Sequence, residues 1–186
     1  NISRVFQGKD FQLLFSTLDN ELCAYDYLTG KVTCYPADPS EGQVCDVYQK
    51  GDILYAIHVT GTIELIDLSQ ERAILRNDHL KKACKAKRFM LFVDSDNEIW
   101  VYLDPESYGG VYRLNLRSGK WQQYDTCSPI PLSSSLIRGI EEDSNRVIWI
   151  AADHGGLNLL DKNTETVRYL KNNPFDLRSI SQNSVI

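Results

Sequence analysis

The chain has 186 residues, 42% of them hydrophobic and 24% charged, and its formal net charge is -5. That length exceeds what one hydrophobic core needs, and no window approaches the roughly 18 uninterrupted apolar residues of a membrane span, so no membrane contact by this segment is expected. A pI near 5.2 argues against general nucleic-acid binding, which requires a positive surface to displace phosphate counterions.

In chain order the sequence reads as short strands divided by turn residues. ISRVF (2-6) precedes QLLFSTLDNELCAYDYLTGKVTCY, VCDVY (44-48) precedes ILYAIHVTGTIELIDLSQERAIL, RFMLFV (88-93) precedes IWVYLDPESYGGVYRLNLRSGKWQQY, and LIRGIEE (136-142) precedes IWIAADHGGLNLLDKNTETVRY. Each set supplies four strands, A to D, in the same order. The polar residue closing strand C falls at Asp26, Asp67, Asn115 and Asp161, so the copies are 41, 48 and 46 residues apart by subtraction. Tyr35, Leu75, Tyr124 and Tyr169 follow 8 or 9 positions later, at the end of strand D. Within VYRLNL the apolar and polar residues alternate with period two, as in a strand with two different faces. DSDNE (94-98) and EDSNR (142-146) occupy the A to B turn in successive copies, while LTGK, RSGK and KNTE occupy the C to D turn. Helix-period stripes are nearly absent, and the basic run KKACKAKR (81-88) reads as a solvated connector.

A four-stranded unit of 40 to 50 residues that recurs four times predicts an all-β chain of β-propeller blades, because each small sheet needs a neighbour on its faces. A β-sandwich would also have many short strands but does not demand this repeated order. Approximate blades are 1-42, 43-86, 87-133 and 134-178. SISQNSVI resembles SSSLIRGI, so 179-186 reads as the start of a further blade and the chain as an excerpt of a larger propeller. Exposed sheet edges also make a homodimer an expectation.

Reactive chemistry finds little support. Asp153 and His154 are adjacent in the B to C loop of the fourth copy and could handle a proton. The corresponding loops carry LDN, VTG and LDPESYGG, with no shared chemistry, and no GxSxG elbow is present; no catalytic residue is assigned. His58, His79 and His154 lack metal-site spacing, and Cys23, Cys34, Cys45, Cys84 and Cys127 contain no CxxC pair, so neither a metal nor a cofactor is expected. Cys23 and Cys34 face one another loosely across a hairpin, yet each also fits a buried free thiol in an alternating strand. DSDNE lacks the glycine and distal glutamate of a calcium loop. Trp100 and Trp149 hold the same place in strand B and are expected to pack between sheets. Gly110 and Gly156 are expected to let strand C start close against its neighbour.

The stretch LIRGIEEDSNRVIWIAADHGGLNLLDKNTETVRYLKNNP resembles the two-component regulator propeller repeat. Glu142-Asp143, Ile148-Trp149-Ile150, Gly155-Gly156-Leu157, Asp161 and Tyr169 carry the match. Asn145-Arg146 stand where a turn glycine is usual, and Ala151-Ala152 where Gly-Thr is usual. EIWVY and GGVYRLN repeat the pattern more weakly in the third copy. The resemblance implies the extracytoplasmic (periplasmic) sensor region of a bacterial hybrid regulator that carries a membrane span, a histidine kinase and a regulator module elsewhere. It implies a non-enzymatic segment, an oligosaccharide ligand, partnership with the other domains of that sensor, and an oxidising compartment for the cysteines.

A ligand would meet the face made by the B to C loops and the D to A connectors, since loops on a rigid scaffold carry recognition. Asp104, Glu106 and Tyr108 in the long DPESYGG loop, with Asp153 and His154 one copy along, are the candidate ligand contacts. A protein-interaction scaffold and a propeller lyase or hydrolase are the competing readings.

Overall fold

Period-two patterning with a turn signal every 5 to 10 residues is realised as antiparallel meanders in a computed structural model. It describes residues 1-8, 12-35, 38-84, 86, 88-103 and 109-184. Among these, sixteen strands form four four-stranded antiparallel sheets, each in simple sequence order. The first sheet holds β1 (Ile2–Gln7), β2 (Gln12–Thr17), β3 (Leu22–Asp26) and β4 (Val32–Tyr35). The second holds β5 (Val44–Lys50), β6 (Ile53–His58), β7 (Ile63–Asp67) and β8 (Arg72–Asn77). The third holds β9 (Phe89–Val93), β10 (Ile99–Leu103), β11 (Val111–Asn115) and β12 (Lys120–Tyr124). The fourth holds β13 (Ile137–Glu142), β14 (Val147–Ala152), β15 (Gly156–Asp161) and β16 (Thr166–Leu170). Each sheet is a propeller-type blade, in the four copies the sequence pattern predicts.

Local side-chain chemistry explains why the strands stop where they do. Asp26, Asp67 and Asp161 each turn Oδ1 back onto two backbone amides two and three residues on, at 2.8 to 3.3 Å. Asn115 Oδ1 accepts a single amide, that of Ser118 three residues on, at 2.9 Å. The C to D turn is therefore closed by an Asx residue in every blade. The A to B turns of the third and fourth blades use a different device, in which one aspartate holds both the turn and a tryptophan. Asp94 accepts from the amides of Asp96 and Glu98 through Oδ1 and from Trp100 Nε1 through Oδ2, all at 2.9 Å. Asp143 repeats this with Asn145, Val147 and Trp149 at 2.9 to 3.0 Å.

The chain divides into two compact units, Asn1–Leu91 and Phe92–Ile186, with the boundary inside β9. In the first unit, Leu14, Leu22, Ala24 and Tyr35 of the first blade form one core with Val44, Leu54, Ala56 and Ile66 of the second. In the second unit, Trp100 is fully buried, stacked on Tyr124 at 5.9 Å and covered by the Arg113 guanidinium at 5.3 Å. Its counterpart Trp149 is only half-buried, so the two tryptophans do not contribute equally to packing.

Two readings of the sequence change. Cys23 and Cys34 are directly paired residues of β3 and β4 and form a disulfide, with Cα atoms 4.0 Å apart. Cys45, Cys84 and Cys127 take no part in a disulfide. The basic run is not wholly a solvated connector: its start lies in a short helix, α1 (His79–Ala83), whose Leu80 is fully buried. Asn77 Oδ1 accepts from the His79 amide at 3.0 Å. Lys85 and Lys87 lie outside the described residues. No helix among those described is long and apolar enough to cross a membrane.

Candidate functional site

In three blades the pairing of strands A and B slips by one residue at the same place, between Ile2 and Arg4, Val44 and Asp46, and Ile137 and Gly139. Ser3, Cys45 and Arg138 are thus the extra residues of equivalent β-bulges, a device that re-aims one side chain out of the alternating pattern. In the fourth blade the re-aimed residue is Arg138. Its NH2 donates to Asp153 Oδ2 at 2.5 Å, while Asp153 Oδ1 lies 2.8 Å from His154 Nδ1. The hydrogen bond from Arg138, foremost, holds the Asp153 carboxyl below its ordinary range.

This arrangement gives unequal roles to the two residues. Both oxygens of Asp153 are engaged and its side chain is only 10% exposed, whereas the His154 side chain is 80% exposed. Asp153 positions, and His154 is presented. His154 has φ 60 and is followed by Gly156 at φ 74, so the loop tip concentrates left-handed backbone. Ser184 Oγ also lies near this histidine, but at 3.4 Å from the same Nδ1 that faces Asp153. A nucleophilic relay needs the acid and the nucleophile on opposite ring nitrogens, so these three groups are not arranged as a catalytic triad.

Gly110 immediately precedes β11 and Gly156 begins β15, at positive φ of 68 and 74. A Cβ at either would sit 2.0 Å from Tyr124 O or 2.3 Å from Leu170 O, the backbone of strand D. Asp104, Glu106 and Tyr108 lie outside the described residues, so of the five proposed ligand contacts only Asp153 and His154 can be placed.

The equivalent face of the second blade, in the other unit, is a dense polar network. Glu41 accepts from the Thr60 and Thr62 hydroxyls at 2.6 and 2.7 Å and from Lys81 Nζ at 3.0 Å, and pairs with Arg76. Burial pushes its pKa up, but these hydroxyls and cations prevail and hold it at about 2. Asp38, tied to Ser40 and Arg76, is likewise held at about 2. Among the described residues, Glu21 with Cys23 and Cys34 form a group whose ligand atoms are close enough to share an ion, and the disulfide consumes both sulfurs.

The fold recurs in solved structures. The extracellular domain of a protein described as a hybrid two-component system of B. thetaiotaomicron aligns over 94% of this chain at 16% identity, with a TM-score of 0.66. A second such domain from that organism aligns over 92% at 20% identity and the same TM-score of 0.66. Kuenenia stuttgartiensis hydrazine synthase aligns over 88% at 13% identity, with a TM-score of 0.60. The chain spans 25% and 24% of the two extracellular domains and 47% of the hydrazine synthase chain. Likeness at these identities is a likeness of fold. No family model matches the sequence, and no curated protein does.

Arg138, Glu41, Thr60, Thr62 and Arg76 were not singled out from the sequence, and Lys81 was read only as part of a solvated basic run. Arg138 occupies a strand position where an exposed arginine is ordinary, and only the bulge turns it onto Asp153. The one available signal was positional: each of the others lies in or beside a B to C loop or a D to A connector, the face expected to carry recognition.

Proposed function

We propose that this chain is a non-catalytic sensing segment of a membrane-anchored two-component regulator, on its extracytoplasmic side, and that it takes an oligosaccharide on the B to C loop face. The observation that carries the reading is the alignment of 92 to 94% of the chain with extracellular domains of two hybrid two-component systems. The IWIAADHGGLNLLD pattern in the fourth blade adds to it. His154, held by Asp153 and Arg138, is the best-placed contact, since an exposed imidazole can both stack on a sugar ring and hydrogen-bond its hydroxyls. Thermal-shift screening against neutral, uronate and sulfated oligosaccharides tests this. At least one class raises the melting temperature, and His154→Ala weakens that binding about tenfold, the ~1.4 kcal/mol of one lost polar contact. A flat response across all three classes overturns the reading.

A second reading, a protein-docking module, is favoured by one feature. Phe175 and Leu177 are 97% and 102% exposed on a loop fixed by Asn173, Asp176 and Ser179 hydrogen bonds. Pull-down with Phe175→Ser as the control separates the two readings.

A further inference from the structure

β6 ends in His58, fully buried at the root of the B to C loop of the second blade. Its Nδ1 lies 3.0 Å from Gly42 O and its Nε2 lies 3.1 Å from Glu64 Oε2. A carbonyl oxygen only accepts, so Nδ1 carries a hydrogen and Nε2 is left to face the carboxylate. Either the imidazolium donates from Nδ1 to Gly42 O and from Nε2 to an ionised Glu64, or the same proton sits on Glu64 and is donated to Nε2. In both cases the contact needs one proton that a neutral imidazole and a free carboxylate together lack, and the pair loses it as a unit.

The charged groups around this pair come from each element packed on it. Glu64 is on β7, Asp38 and Glu41 are on the incoming connector, Arg76 is on β8 and Lys81 is on α1. β5 contributes Val44 opposite His58. Three carboxylates against Arg76 and Lys81 leave one negative charge over, and the shared proton cancels it. Glu64 Oε2 also accepts the Asp38 amide at 3.2 Å, while the amides of Val59 and Gly61 bond to Gln43 O and His58 O at 2.9 and 2.8 Å. The histidine thus joins the connector before the blade, the loop between β6 and β7, and β7 itself.

We propose that the proton shared by His58 and Glu64 is a clamp on the loop face of the second blade, closed when the proton is present and opened by its loss. Loss sets an Nε2 lone pair against a carboxylate at 3.1 Å in a buried site. Glu64 then turns away, the Asp38 amide loses its acceptor, and connector and loop separate. Burial pushes the His58 pKa down, but the bonds to Glu64 and Gly42 carry it above its ordinary value. The clamp is therefore closed at neutral pH and opens in alkali. It stands independently of the ligand reading above.

The test is an imidazole nitrogen-15 NMR titration of the intact chain. His58 titrates above the ordinary histidine value near 6.5, and the amides of Asp38, Val59 and Gly61 shift with the His58 midpoint. Glu64→Gln lowers that midpoint and uncouples the Asp38 amide from it, with circular dichroism checking the fold. Should Glu64→Gln fail to fold, the wild-type titration decides alone. A His58 midpoint at or below about 6.5, or loop amides that stay flat through it, overturns the clamp.

Discussion

A glycine at the start of strand C is fixed by what a methyl group would strike. Gly30 and Gly119 have φ of 69 and 66 with nothing within 4 Å of an added Cβ, so alanine there meets only the left-handed penalty, about 1-2 kcal/mol. Gly110 and Gly156 have the same backbone sign but aim that Cβ at a strand D carbonyl, 2.0 and 2.3 Å away. Gly110→Ala and Gly156→Ala are therefore expected to lose clearly more stability than Gly30→Ala and Gly119→Ala in urea unfolding. Equal losses at all four would show that strand D moves aside freely. Burial separates the two tryptophans in the same way. Trp100→Ala empties a fully buried site and is expected to lose about 3-5 kcal/mol, while Trp149→Ala, half-buried, loses less by the same measurement.

Elements are joined by contacts that local pattern does not reveal. Lys162, in the last C to D turn, is 2% exposed and reaches Asp94 at 2.6 Å, Asp96 at 2.7 Å and Glu142 at 3.2 Å. Burial pushes its pKa down, but Asp94 and Asp96 prevail and raise it. Glu142 in turn accepts from the Ser95 amide at 2.6 Å, and Arg146 pairs with Asp96. One ammonium thus ties the A to B turn of the third blade to the edge of the fourth. Removing a single partner from a buried pair leaves charge uncompensated, so Lys162→Ala is expected to lose about 3-5 kcal/mol. Lys82, paired with Asp78 but 75% exposed, is the control and should change stability by about 0-1 kcal/mol. Similar urea midpoints for the two variants would mean that the buried cluster relaxes into solvent.

Across the whole molecule, what could be read in advance was whatever is encoded within a few residues. The Asx turns bind two and three positions on, and strand alternation has period two, so blade order was legible. Lys162 and Asp94 are 68 residues apart and Arg76 and Glu41 35 apart, and no local signal pairs them. Cys23 and Cys34 looked only loosely opposed across a hairpin, and each fitted a buried thiol, until the β3 and β4 register placed them directly opposite one another. These distant pairings set the pH response. Asp38 and Glu41 at about 2, with Asp96, Asp143, Asp153 and Asp161 also lowered, add stability that is full above the ordinary carboxylate range and lost as pH falls towards 2. Asp46, raised by burial, has the opposite sign and is outnumbered. His58 is raised, so its contribution is full below its ordinary value near 6.5 and lost as pH rises past that. Cys45, Tyr35 and Tyr124, raised by burial, add losses only above about 8.5. The urea midpoint is therefore expected to be flat between about pH 5 and 6.5, to fall below about 4, and to fall again between about 6.5 and 8.5. His58→Gln should remove that last fall and leave the acid limb unchanged, because its amide does not titrate. Persistence of the alkaline fall in His58→Gln would assign it to another group.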